Sequence, residues 1–331
     1  MKKYNVAVVG ATGLVGSTFL KLLREYNFPI NSLTLFASEK SVGKKVQFGD
    51  GEYTVKKLEK GCFDGVEIAL FSAGGSVSKE WAPEAEKSGA VVIDNSSAWR
   101  MVSECALIVP EINLNHFDGA RKIVANPNCS TIQSVLPLKP LNDVFGIKRV
   151  VYSTYQAVSG SGMKGKNDLA RTLKGEAHEF YPYNIAETCI PQIDVFEDNG
   201  YTKEELKMVN ETRKILGIPN LPVSATCVRV PVMNGHAVSI MVELEKPFTL
   251  EEVKKAFESQ EGIKVLDDPK NSIYPVSTVA NDNDLVYVGR IRRDLSSANG
   301  ILFYCVSDNI RKGAAANAIQ IAKALIKEGK I

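Results

Sequence analysis

The stretch from Tyr4 to Gly16 constrains this chain more than any other. Tyr4-Asn5-Val6-Ala7-Val8-Val9 reads as a buried strand. Gly10-Ala11-Thr12-Gly13-Leu14-Val15-Gly16 follows at once, and an amphipathic helical pattern then runs to about Tyr26. Glycines spaced GxxGxxG let a backbone turn tightly and approach a pyrophosphate, which rests on the N-terminus of the following helix. The spacing differs from the commoner GxGxxG. Strand, glycine loop and helix in that order nevertheless predict nucleotide binding, against the alternative of a purely structural glycine turn. They also predict an α/β fold that opens on a doubly wound parallel sheet.

The next strand, Leu33-Thr34-Leu35-Phe36, ends in Ala37-Ser38-Glu39-Lys40-Ser41. An NAD site usually carries an acidic residue at that strand end, bonded to the ribose 2′-hydroxyl. Here two hydroxyls and a lysine stand there, which suits a 2′-phosphate and favours NADP; Glu39 is expected to point to solvent. Val46 to Leu58 reads as a hairpin around Asp50-Gly51. Core strands at Glu67–Ser72 and Ala90–Ile93 flank a helix from Val77 to Ser88 and end in small polar residues. In open α/β sheets ligands bind at such carboxyl ends. Arg100 follows shortly after, as an anion clamp or as a surface arginine.

Lys122-Ile123-Val124-Ala125 reads as a short strand, and a helical pattern runs from Ser130 through Val144. Between them lies Asn126-Pro127-Asn128-Cys129-Ser130-Thr131. Cys129 therefore sits at a strand-to-helix turn, where unpaired N–H groups and the helix dipole stabilise an anion such as a thiolate. It is the expected nucleophile for acyl chemistry. The other cysteines, Cys62, Cys105, Cys189, Cys227 and Cys305, show no CxxC spacing and are spread along the chain. A zinc site or a disulfide framework is not expected, and no metal is assigned.

Beyond Cys129 the texture changes. A long β run from Arg149 to Val158 ends in Ser159-Gly160-Ser161-Gly162. Helical patterns follow at Lys164–Glu176 and Lys203–Leu216. Further strands are read at Val223–Val232, Ala237–Glu245, Leu285–Asp294 and Ile301–Val306, with a helix at Leu250–Gln260 and an alanine-rich helix from Ile310 to Lys327. Long strands with period-2 alternation predict a mostly antiparallel sheet with helices on one face, an α+β second domain. Arg229, mid-strand among valines, calls for a carboxylate, either a ligand's or a cross-strand partner's. Glu211 and Lys214 share one helix face and read as a solvated ion pair, and Lys203, Lys207 and Arg213 read as solvated. Of the three histidines, His116, His178 and His236, the last lies at a turn between two strands, as a proton-transfer group or a structural turn residue.

A length of 331 residues suggests two domains. A net charge of +2 gives no electrostatic case for nucleic acid or a membrane surface. No uninterrupted apolar run approaches the roughly 20 residues of a membrane span. Met1-Lys2-Lys3 enters a strand directly, without a signal-peptide core, so the cytoplasm is the expected location.

The glycine loop at 10–16, the hexapeptide at 126–131, Gln156-Ala157-Val158-Ser159-Gly160-Ser161-Gly162, Cys227-Val228-Arg229-Val230-Pro231-Val232 and Ser307-Asp308-Asn309 together resemble the aspartate-β-semialdehyde dehydrogenase family. The resemblance runs from residue 4 to about residue 325. It implies reversible, NADP-dependent conversion of aspartyl phosphate to aspartate semialdehyde and phosphate, a step toward lysine, threonine and methionine. It implies an NADP-binding domain over 1–128 plus the C-terminal helix 310–331, and a catalytic and dimerisation domain over 129–309, in a homodimer or homotetramer. Cys129 would be the acyl-thioester nucleophile, Gln156 would orient the acyl intermediate and His236 would be the acid/base. Arg229 would bind the substrate carboxylate and Glu211 its ammonium; Arg100, Asn128 and Lys214 would bind phosphate. Thr12, Gly13, Leu14, Val15, Ser38, Lys40, Ser41, Ser159, Gly160 and Asn309 would touch NADP. One departure is Asn234-Gly235 just before His236, in a loop where such enzymes vary. N-acetyl-glutamyl-phosphate reductase and a glyceraldehyde-phosphate-type dehydrogenase share this logic. An inactive NADP-binding scaffold protein is the reading of another class.

The chemistry asks for the same groups. A free cysteine, with a pKa of about 8.5, is only a few per cent thiolate at pH 7, and half-ionisation takes about 2 kcal/mol of help. A helix N-terminus with a histidine supplies that order of effect, and a histidine suits proton transfer near neutral pH.

Overall fold

The computed structural model describes residues 2–331. The chain divides into two compact units. One runs to Pro127 and resumes over Ala314–Ile331; the other is Asn128–Gly313.

In the first unit, β1 (Tyr4–Val9), α1 (Leu14–Glu25), β2 (Ile30–Phe36), the hairpin β3 (Lys45–Phe48) and β4 (Gly51–Thr54), β5 (Ile68–Phe71), α2 (Gly75–Lys87), β6 (Val91–Asp94), a short α3 (Pro110–Asn113) and β7 (Ile123–Ala125) follow in order. Five strands form a parallel sheet in the order β2-β1-β5-β6-β7. The chain passes from β1 to β2 on one side and then continues from β5 on the other, so the topological switch point lies between β1 and β5. Alternation along β1 serves both faces of the sheet. Val6 and Val8 pack with Phe19, Leu22 and Leu23, whereas Ala7 and Val9 pack with Phe71, Ala82 and Ala85.

The second unit contains α4 (Cys129–Phe145), β8 (Ile147–Gln156), α5 (Gly162–Thr172), α6 (Lys203–Leu216), β9 (Val223–Arg229), β10 (His236–Leu244), α7 (Leu250–Ser259), β11 (Ile263–Val265), β12 (Val286–Arg293) and β13 (Gly300–Ser307). Its sheet has the order β11-β12-β13-β10-β8-β9. The middle pairs are antiparallel, as expected, but both edge pairs, β11/β12 and β8/β9, are parallel. The sheet is therefore mixed. Strand β9 returns beside β8 only after the long crossover through α5 and α6, and a crossover of that length delivers a parallel neighbour. Arg229 is the last residue of β9 rather than a mid-strand residue.

Helix α4 continues through Pro137 and Pro140. Pro137 has no N–H to give the carbonyl of Gln133. The buried Cys305 thiol of β13 donates to that oxygen instead, at 3.6 Å. A turn of π-helix, Arg311–Ala315, and then α8 (Ala316–Lys327) replace the single helix read from Ile310 onward, and α8 carries the chain back into the first unit. Among the described residues no helix is long and apolar enough to cross a membrane.

Candidate active site

In the second unit, Cys129 is the first residue of α4. Asn128 caps that helix, its Oδ1 accepting the N–H groups of Ser130 at 2.9 Å and Thr131 at 3.2 Å. The backbone N–H of Asn128 donates to Glu211 Oε2 at 2.6 Å. The π-helical turn brings Gly313 against Cys129. A Cβ at Gly313 would lie 2.8 Å from the Cys129 Cβ. Turns of this kind are frequent at functional sites. Two of the buried thiols are unsuited to the same work. Burial pushes Cys305 up to about 12, and pushes Cys227 higher still.

Gln156 ends β8, directly opposite Arg229 at the end of β9. Its Oε1 accepts from the Thr154 hydroxyl at 2.9 Å and its Nε2 donates to Glu204 Oε1 at 3.1 Å. The Asn128 amide donates to the same oxygen at 2.8 Å, so one carboxylate ties the cap of the thiol helix to Gln156.

His236 opens β10 and is fully buried. The N–H of Ala157 donates to its Nδ1 at 3.0 Å, which leaves the ring proton on Nε2. That Nε2 has no hydrogen-bond partner among the described residues. Arg229 Nη1 donates to the carbonyl of the same Ala157 at 2.6 Å. Gly160 lies against both side chains: a Cβ there would stand 2.9 Å from Arg229 Nη1 and 3.0 Å from His236 Nε2. Burial, with the Arg229 charge beside it, holds the imidazole well below its ordinary value of 6.5, so it is neutral at pH 7. This has a consequence for stability. In the unfolded chain His236 takes up a proton near pH 6.5, and in the folded chain it does not. Between the two values the unfolded state holds the extra proton, so stability falls as pH falls, by up to about 1.4 kcal/mol per pH unit. His236→Gln should remove that slope. Urea unfolding of parent and variant at pH 7.5 and 5.5 checks it, and parallel losses would contradict the assignment.

The Asn-Gly pair before His236 is fixed by its surroundings. Gly235 has φ +86°, and a Cβ there would meet the Ser277 carbonyl at 2.6 Å, so glycine is required. Its N–H donates to Asn309 Oδ1 at 3.0 Å. Asn309 Nδ2 donates to Ser159 Oγ at 2.9 Å, and Ser159 donates to Asn234 Oδ1 at 3.0 Å. Asn234 in turn donates to Asp308 at 3.0 Å. Ser159 and Asn309, read from sequence as cofactor residues, are thus joined through the loop that delivers His236. Lys214 lies half-buried on the helix that carries the buried Glu211.

In the first unit, the glycine loop has the form a dinucleotide needs. Gly10 has φ +88°, with the Ser72 carbonyl 2.7 Å from a would-be Cβ. A Cβ at Gly16 would fall 2.0 Å from the Gly10 carbonyl. Gly13 stands at the N-cap of α1 with no side chain to satisfy the first N–H groups. Leu14 and Val15 follow, half-buried. Thr12 donates to Ser41 Oγ at 3.3 Å, which joins the loop to the end of β2. Ser38 and Lys40 are exposed beside it, and Glu39 faces out to pair with Lys57 at 3.4 Å. At the ends of β5 and β6, Ser72 Oγ, Asp94 Oδ1 and Asn95 Nδ2 are buried without a partner among the described residues, as groups awaiting a ligand would be. These features fit a dinucleotide. Arg100 is buried and gives Nε to the Asn126 carbonyl at 2.9 Å and Nη2 to the Asn95 carbonyl at 2.8 Å. Part of its guanidinium therefore holds the hexapeptide backbone.

The reading of Lys207 and Arg213 as solvated is corrected, since Arg213 Nε donates to the Leu221 carbonyl at 2.8 Å. Lys207 is not simply solvated; it bonds Asp194 at 2.8 Å and the buried Glu204 at 3.1 Å. Glu204 and Gly313 escaped the sequence reading altogether, and Asn234 entered it only as a departure in a variable loop. The signal for Glu204 was available, since it falls on the buried stripe of α6 with Met208, Glu211, Thr212 and Ile215. Nothing local marks Gly313.

Comparison with known proteins follows the same division. Residues 5–120 match the model of the semialdehyde dehydrogenase NAD binding domain, and residues 138–312 that of the semialdehyde dehydrogenase dimerisation domain. Aspartate-semialdehyde dehydrogenase of Aquifex aeolicus is 54% identical, covering 99% of both chains, and that of Bacillus subtilis 47% identical, covering 98% of this chain and 97% of its own. Among solved structures, aspartate semialdehyde dehydrogenase II from Vibrio cholerae, described as complexed with ASA, superposes with a TM-score of 0.94 at 46% identity, covering 99% of both chains. The Candida albicans enzyme, described as with NADP, superposes with a TM-score of 0.79 at 26% identity, covering 100% of both.

Proposed function

The chain belongs to the aspartate-semialdehyde dehydrogenase family, and we propose that it interconverts L-4-aspartyl phosphate and L-aspartate 4-semialdehyde with NADP, through a thioester on Cys129. As a member it is an enzyme, an oxidoreductase of amino-acid biosynthesis with a Rossmann-like nucleotide domain. The observation that carries the proposal is Cys129 at the first position of α4, behind a cap residue whose amide shares the Glu204 carboxylate with Gln156, while Arg229 and His236 both bond Ala157, the residue next to Gln156.

In the oxidising direction the Cys129 thiolate adds to the aldehyde carbon. The oxygen that gains charge receives the N–H of His236 Nε2. In the acid/base role given by the resemblance His236 thus enters as a donor, because a proton at Nδ1 would displace the Ala157 N–H. Arg229 pairs with the substrate α-carboxylate, Glu211 with its ammonium, and Gln156 orients the acyl group. NADP, when bound, would supply the hydride acceptor. Asn128 and Lys214 hold phosphate, the role the resemblance also gives Arg100. Phosphate then attacks the thioester and expels the thiolate, which the N-terminus of α4 stabilises. By the resemblance Thr12, Gly13, Leu14, Val15, Ser38, Lys40, Ser41, Ser159, Gly160 and Asn309 are assigned to NADP. The hydroxyls and lysine after β2, with Glu39 turned outward, support NADP over NAD. The product leads toward lysine, threonine and methionine. A cytoplasmic location belongs to the same proposal, since that compartment keeps a catalytic thiol reduced.

Self-association as a homodimer or homotetramer completes the reading. The outer face of the mixed sheet leaves Tyr155, Met241 and Tyr304 partly exposed, with the two tyrosine rings 6.0 Å apart. Sedimentation showing a monomer at micromolar concentration would contradict it. For the activity, phosphate-dependent reduction of NADP is measured with aspartate semialdehyde and with N-acetylglutamate semialdehyde. The acetylated substrate leaves Glu211 without a cation, and kcat/KM should favour the first on the order of 100-fold. Better turnover of the acetylated substrate would overturn the assignment.

A further inference from the structure

Helix α6 carries a buried carboxylate that none of these roles uses. Glu204 Oε1 accepts from Asn128 Nδ2 at 2.8 Å and from Gln156 Nε2 at 3.1 Å. Its Oε2 accepts from Lys207 Nζ at 3.1 Å, and Lys207 also reaches Asp194 at 2.8 Å. We propose that Glu204 is the positioning residue of this active site, fixing in one contact which way the amides of Asn128 and Gln156 face. The inference rests on the reading of Cys129 as nucleophile and Gln156 as the group that orients the acyl chain. Burial opposes a charge at Glu204, but Lys207 and the two amides outweigh it and hold the carboxyl below its ordinary range. Lys207 is held up in turn by Glu204 and Asp194, against its own burial.

The two ends of an amide have nearly the same shape, so packing alone does not choose between them. A flipped Asn128 would turn its NH2 toward the N–H groups of Ser130 and Thr131 and destroy the cap of the thiol helix. Thr154 does not decide the orientation of Gln156, because a hydroxyl both donates and accepts. An ionised carboxylate only accepts. Three N–H donors from two sides converge on the two oxygens of Glu204. A glutamine there would present an NH2 either to Lys207 or to the two amides. This predicts that the neutral isostere fails, and that removing the opposing donor repairs it.

The test compares the parent with Glu204→Gln, Glu204→Asp and Glu204→Gln/Lys207→Met. The readouts are kcat, KM, the thermal midpoint and the rate of Cys129 alkylation by iodoacetamide at pH 7. Glu204→Gln should lower kcat about thirtyfold, with KM changed less than about threefold. The double variant should regain at least about fivefold of that kcat, which a packing defect would not do. A kcat for Glu204→Gln within threefold of the parent, or a double variant no better than the single one, overturns the proposal. If Glu204→Gln does not fold, Glu204→Asp carries the test. It keeps the charge but withdraws it by one methylene, and should lose at least about tenfold in kcat; a loss under threefold overturns the proposal. The alkylation arm needs no substrate and so separates this inference from the substrate assignment. A spoiled cap should slow alkylation in Glu204→Gln at least about threefold, and a parental rate counts against the proposal whatever the substrate is.

Discussion

Cys129→Ala is expected to lower kcat on the order of 10⁵-fold, the scale seen when a covalent nucleophile is removed. The thermal midpoint should move little, because the change removes one sulfur and leaves the cap of α4 in place. Asn128 still holds Ser130 and Thr131, and Glu211 still accepts the Asn128 N–H. Substrate and cofactor affinity should persist, since Arg229, His236 and the glycine loop are untouched. No neighbouring thiol substitutes. Cys227 and Cys305 are buried with their thiols pushed up, and Cys305 is committed to the Gln133 carbonyl. Cys129→Ser should fall close to the alanine variant, because a hydroxyl at a helix N-terminus remains protonated at neutral pH. Steady-state turnover of aspartate semialdehyde checks both. Activity within tenfold of the parent in either variant would show that acyl transfer does not run through this residue.

Gly313→Ala is the second large effect, and it is expected where no catalytic group changes. The added methyl would sit 2.8 Å from the Cys129 Cβ and 3.3 Å from its Cα, against the 3.5–4.0 Å at which carbon atoms rest together. Neither atom is the end of a flexible side chain, so the turn at Arg311–Ala315 or the first turn of α4 has to move. A displacement near 1 Å at a reacting atom costs about 100-fold in rate, and overpacking of this kind costs about 1–3 kcal/mol of stability. The variant should therefore lose about 100-fold in kcat, with a lowered thermal midpoint and slower alkylation of Cys129. A parental kcat would mean that the π-helical turn yields without disturbing the thiol.

These two residues mark what a reader of the sequence can and cannot see. Cys129 stands between a three-residue apolar strand and a long helical pattern, and local periodicity suffices to put it at a helix start. The same holds for β1, the glycine loop and α1, where strand and helix periods adjoin without ambiguity. Gly313 belongs to an alanine-rich segment that reads as uninterrupted helix, and only tertiary packing against a residue far away in the chain asks for a π turn and a missing side chain there. Glu204 failed for another reason. Glutamate near a helix start is ordinary dipole complementarity, and its neighbour Lys207 looks like a routine i, i+3 partner. Only its place on the apolar stripe of α6, with Met208 and Ile215, distinguishes it. The parallel edges of the second sheet were hidden likewise, because strand period reports which face a residue takes and not which way its neighbour runs. The loop before His236 looked like a variable connection. Its Asn-Gly pair is instead fixed by a positive φ at Gly235, by the Ser277 backbone and by bonds to Asn309 and Asp308.

The most direct test mixes the protein with aspartate semialdehyde and NADP in the absence of phosphate, followed by acid quenching and peptide mass mapping. With no phosphate to release it, the acyl group should stay on the enzyme. The result predicted is a single-turnover burst of NADPH, with an aspartyl adduct on the peptide that carries Cys129, lost when phosphate is added before the quench. Phosphate-dependent turnover with no adduct at Cys129, or with an adduct on another residue, would contradict the account.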